Sequence, residues 1–127
     1  MKLSHSARAP DLVFVSRARA HIVKKTYLAG AADLAVEIVS PDSKEPDRCD
    51  KLAEYEAAGV REYWIIDPLT EQADFHRLIR GRYRPLPVEG DVVRSVVLAG
   101  LWLEVGWLWQ EPMPALMSVL KRWKPVP

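Results

Sequence analysis

The sequence has one cysteine, Cys49, three histidines and almost no net charge, with 18 basic against 17 acidic side chains for a formal +1. A lone cysteine cannot close an internal disulfide, so the chain is expected in a reducing compartment, the cytoplasm. A near-neutral balance excludes a generic nucleic-acid-coating protein, which would be strongly basic, but leaves room for a local basic patch. None of His5, His21 and His76 has a partner at metal-ligand spacing. No apolar run approaches the roughly 18 residues of a membrane span. The opening MKLSHSARAPD has no apolar stretch and is not expected to act as a signal peptide. Repeats and low-complexity tracts are absent.

What is present is a chain of 127 residues, 49% of them apolar. That is enough for one core and too few for two comfortable ones, so residues 1–127 are read as a single α/β domain, an α+β arrangement with a mixed sheet. LVFVS after Pro10-Asp11 is β-branched and aromatic and predicts a first strand. SRARAHIVKK, 16–25, predicts a connecting loop or short helix with a locally basic face. ADLAVEIVS predicts a second strand, ended by Ser40-Pro41. PDSKEPDRCDKLAEYEAAG predicts the main helix. Asp42 or Ser43 can cap it, Pro46 suits its first turn, and Gly59 sits where a left-handed stop belongs. REYWIID and QADFHRLI predict two further strands, RYRPLP an edge strand after the turn at Gly81, and VRSVVL another that LWLEV continues past Gly100. PALMSVLKRW carries Leu116, Val119, Leu120 and Trp123 at helical spacing and predicts a C-terminal helix.

ADLAVEIVS contains an anomaly. Val36, Ile38 and Val39 surround Glu37, and a run this apolar normally sits inside a sheet covered on both faces, where an unpartnered carboxylate loses its hydration at a cost of several kcal/mol. Alternation puts Asp33, Ala35, Glu37 and Val39 on one strand face. Asp11 begins the preceding strand and lies beside Glu37 if those strands pair. The helix that follows carries Asp47, Lys51, Glu54 and Tyr55 along one side. If it packs back on the sheet, Lys51 points toward Glu37. Two carboxylates on adjacent strands can hold Mg²⁺ or Mn²⁺ with positions left for water and a phosphate oxygen, and a lysine beside them can position the attacking water.

The stretch ADLAVEIVSPDSKEPDRCDKLAEYEAAGVREYWIIDP resembles the core of the Uma-type putative restriction endonucleases, a family of the PD-(D/E)XK nuclease superfamily. The matching residues are Pro10-Asp11, the strand Asp33 to Pro41, Asp47 with Lys51, Tyr55, and Gly59 to Asp67; the resemblance spans essentially residues 10–110. It implies a restriction-endonuclease-like core and a Mg²⁺- or Mn²⁺-dependent endonuclease acting on DNA. Asp11 would be the superfamily's aspartate and Glu37 its second acidic ligand. Val39 occupies the position two residues after Glu37 where the superfamily's lysine stands, and the resemblance implies that Lys51 replaces it from the helix. Family members usually carry a helix and a strand before the Pro-Asp strand. This chain has about nine residues there, so N-terminal elements are expected to be missing and the shape to be completed in a homodimer, for which five tryptophans offer material. The alternative is a catalytically inactive truncated nuclease-fold protein that serves as a binding or assembly module.

Plainer roles stand beside these. Asp33 can end a turn, Asp47 can be a helix-start charge, Tyr55 can be packing with a polar tip, and Lys51 can pair with Asp47 one turn away for about 0.2–0.5 kcal/mol. His21 and His76 are expected at the surface, and the basic 17–25 stretch in solvent unless it contacts phosphates.

Overall fold

The computed structural model describes residues 12–24, 28–39 and 45–109, the side chains of 45–49 excepted. Asp11, the Asp47 side chain and the predicted C-terminal helix lie outside the described residues.

Five strands form one mixed sheet in sequence order: β1 (Leu12–Phe14), β2 (Leu34–Ile38), β3 (Glu62–Asp67), β4 (Gln72–Ile79) and β5 (Arg82–Pro85). Only β2 and β3 run parallel, which requires a crossover, and the helix α1 (Glu45–Ala58) supplies it. Gly59, at φ +87°, stops that helix while its N–H and that of Val60 both donate to the Tyr55 carbonyl. The β4–β5 hairpin turns on Arg80 and Gly81, at φ +53° and +79°, the pair of left-handed residues that a tight two-residue turn demands.

A second, three-stranded sheet follows: β6 (Val88–Glu89), β7 (Val92–Arg94) and β8 (Trp102–Glu104). It departs from the continuous strand expected over VRSVVL and LWLEV. The run breaks after Arg94 because the Val96 and Val97 amides, which a ladder would use, donate to Glu62 Oε1 at 2.7 and 3.1 Å. The chain then turns at Gly100, and β8 returns antiparallel to β7.

The two central strands are covered on both sides. Leu34, Val36, Trp64, Ile66 and Phe75 meet Val93, Leu98, Leu103 and Leu108 from the second sheet and the loops around it. Ala35, Tyr63 and Ile65 meet Tyr55 and Leu52 of α1. Alternation along β2 therefore separates two cores, and it sends Glu37 to the helix side. Among the described residues no helix is long and apolar enough to cross a membrane.

Glu62 is fully buried on the second-sheet side. It accepts from Trp64 Nε1 at 2.7 Å, Ser95 Oγ at 2.9 Å and the two amides already named. Four neutral donors thus tie β3 to the loop between β7 and β8. Glu62→Ala strands those donors and is expected to lower unfolding stability by about 3 kcal/mol or more, and Glu62→Gln by less, since one carbonyl oxygen remains to accept. Urea denaturation of the two variants checks the order.

Candidate active site

Glu37 stands near the C-terminal end of β2, on the face that α1 covers. Three side chains converge on it. Tyr55 of α1 donates its hydroxyl to Oε1 at 2.8 Å, Tyr63 of β3 donates to Oε2 at 3.1 Å, and Lys51 Nζ lies 3.3 Å from Oε2. Only 12% of the Glu37 side chain is exposed, against 27% for Lys51. The charge in the apolar strand is thus matched by two phenols and an ammonium.

Local structure explains the convergence. Tyr63 pairs with Ala35 in the parallel register, and the small alanine leaves room for its ring to lean toward Glu37, two residues along the same face. Lys51 and Tyr55 are one helical turn apart and so present to one spot. The Tyr55 and Tyr63 rings meet edge to face at 4.7 Å and fix each other's orientation.

The layer continues outward. His76 of β4 stands opposite Tyr63, with ring centroids 6.3 Å apart, and lies 5.7 Å from Tyr83 of β5. It is half-buried between them, not at the surface as the sequence led one to expect. Tyr83 donates to the Val60 carbonyl at 2.8 Å, and its own amide donates to Glu56 Oε2, so the edge strand is tied to the end of α1. Burial, helped by the nearby Glu56 charge, pushes the Tyr83 phenol well above its ordinary range.

Other expected residues fall elsewhere. Asp33 is buried, and its carboxylate accepts from the Ser16 amide at 2.7 Å and from Arg19 at 3.1 Å, with Arg61 at 3.9 Å. It fastens the 3-10 turn Arg17–Ile22 to the sheet and does not join Glu37. Arg19 is thereby taken from the basic stretch, while Arg17 and His21 stay exposed. Asp11 precedes Leu12, which pairs with Val36, but itself lies outside the described residues. Tyr55 does more than pack. Tyr63 was missed by sequence reasoning, and the signal available was parity: in a parallel pair, Tyr63 belongs to the face of Ala35 and Glu37.

The donor set suits a hard cation in part. A carboxylate offers about four acceptor sites, and three donors reach Glu37, two of them on Oε2, which leaves room at Oε1. Among the described residues no three His, Cys, Asp or Glu side chains cluster as a metal site.

A profile of the Uma2 family, whose description is putative restriction endonuclease, matches residues 1–106. The chain belongs to this family. Its fold is also that of a crystal structure described as a putative nuclease belonging to DUF820 from Anabaena variabilis. That likeness has a TM-score of 0.62 at 20% identity and covers 80% of this chain. The chain spans 59% of the length of that relative. No curated protein matches the sequence. The restriction-endonuclease-like fold expected from the central block is therefore the fold observed.

Burial holds the His76 imidazole below its ordinary 6.5, against an opposing pull from Asp74 and then Glu56. Below pH 6.5 the unfolded chain takes up a proton that the folded one resists, so this contribution to stability is full above 6.5 and declines as pH falls toward the folded value. The melting temperature is expected to drop between about pH 7 and about pH 5, and His76→Phe, which keeps a ring between Tyr63 and Tyr83, to flatten that part of the profile. Thermal melts across the range decide it.

Proposed function

We propose that the protein is a divalent-metal-dependent endonuclease that hydrolyses DNA phosphodiester bonds. The observation that carries this reading is the Lys51 ammonium 3.3 Å from the Glu37 carboxylate, on a strand otherwise built for a dry core. Family membership gives the chemistry its class. Asp11 and Glu37 would hold Mg²⁺ or Mn²⁺. Asp11 is the chain neighbour of Leu12, which pairs with Val36, the residue before Glu37. A bound divalent ion supplies positive charge to the scissile phosphate and acidifies a water. Lys51 donates to the attacking water or to a phosphate oxygen as negative charge grows there. Tyr55 and Tyr63 hold the Glu37 carboxylate in one orientation, so no reorientation is needed when substrate arrives.

One observation favours a second reading, a catalytically inactive nuclease-fold protein used for binding or assembly. Both Glu37 oxygens already have protein donors, and among the described residues no three His, Cys, Asp or Glu side chains cluster as a metal site. Such a module would act as a homodimer. Trp102, 47% exposed and 5.4 Å from Trp107, offers an apolar contact for a second copy.

Mn²⁺ titration by calorimetry into wild type and Glu37→Gln separates the two. The nuclease reading expects saturable one-to-one binding that the variant loses, and Mn²⁺-dependent nicking of supercoiled plasmid that falls at least about a hundredfold in Glu37→Gln and in Lys51→Met. Absent binding, or cleavage that survives Glu37→Gln, removes it. Light scattering tests the dimer: a monomer mass at tens of micromolar refutes that part.

A further inference from the structure

Two arginines line one cleft on the opposite side of the sheet from Glu37. The cleft has a volume of about 360 Å³ and lies between β4 and the second sheet. Arg77 of β4 stands directly across from Glu62 of β3, so its side chain enters the space between the sheets. An ion pair with Glu62 would be the ordinary outcome there. It does not form, because the Glu62 oxygens are taken by Trp64, Ser95, Val96 and Val97. Arg77 Nε is buried without a hydrogen-bond partner among the described residues. Native proteins seldom leave a charged donor so placed, since its desolvation is uncompensated. Arg94 of β7 shares the cleft at its exposed rim and, like Arg77, has no ion pair among the described residues.

The remaining walls describe a ligand. Leu86 and Val92 give an apolar surface, and Glu89 an acceptor. Two guanidiniums exceed what one carboxylate needs, since a single arginine fork satisfies it. A phosphate group offers three or more acceptor oxygens and up to two charges. A half-open cleft of a few hundred Å³ suits a small molecule. We infer that this cleft binds an organic phosphate of mononucleotide size. Its phosphate is taken by Arg77 and Arg94, its apolar body lies on Leu86 and Val92, and a hydroxyl or amino group donates to Glu89. This inference does not rest on the nuclease reading. Glu37 lies across the sheet, and either can fail alone.

The test is calorimetric titration of the full chain in metal-free chloride buffer with AMP, adenosine, inorganic phosphate, succinate and a short DNA oligonucleotide. The expected result is one-to-one AMP binding, weaker binding of inorganic phosphate and none of adenosine. Arg77→Gln and Arg94→Gln should each weaken AMP binding about tenfold or more. Arg94 sits at the rim, so its variant keeps the test open if Arg77→Gln fails to fold. The inference is overturned if AMP does not bind at millimolar concentration, or if both folded variants bind it as wild type does. Tighter binding of succinate than of AMP overturns the phosphate assignment. Binding of the oligonucleotide in place of AMP gives the cleft to a nucleic-acid strand instead. A lowered melting temperature in Arg77→Gln with unchanged AMP affinity would mean that Arg77 only offsets the Glu62 charge.

Discussion

The parallel pairing of Leu34–Ile38 with Glu62–Asp67 constrains everything else. A parallel pair needs a crossover, and strands of this composition need cover on both faces. The chain meets both demands with one helix on one side and a small second sheet on the other. Three carboxylates are trapped at the centre as a result, each with a different remedy. Asp33 takes arginines and a backbone amide. Glu62 takes four neutral donors and orders a loop. Glu37 takes two phenols and a lysine, and of the three it alone sits with part of its surface open beside a cation that is itself partly exposed.

That difference sets Glu37 apart from Asp33 and Glu62. Glu62 is fully buried, and its four neutral donors, two of them backbone amides, order the loop after β7. The donors on Glu37 are an ammonium and two phenol hydroxyls, all on side chains that can rearrange or share their protons. The tyrosine and histidine layer on β3, β4 and β5 supports this arrangement from the side, with Tyr55 and Tyr63 edge to face and His76 between Tyr63 and Tyr83.

The other face follows from the same pairing. Once the amides of the loop after β7 satisfy Glu62, the arginine opposite it on β4 has no ion pair among the described residues. The two sides of one sheet thus carry complementary imbalances: a carboxylate with acceptor capacity to spare on the helix side, and two guanidiniums with no ion pair among the described residues on the other.

The sequence by itself determined the order and type of the main elements, because strand alternation and the Gly59 stop are local signals. β4 begins and ends where QADFHRLI does. Glu37 was also legible, since one carboxylate in a β-branched run has few bland explanations, and the helical offset that brings Lys51 to it is a local geometric fact. Only the tertiary structure decided the rest. Tyr63 reaches Glu37 through a register that no local pattern encodes. His76 is half-buried because β5 pairs beside β4 and brings Tyr83 to its ring. VRSVVL fails to continue as a strand because a glutamate some 35 residues away claims its amides. Hydrogen-bond partners chosen over such separations depend on which strands become neighbours, and that is settled by packing rather than by propensity.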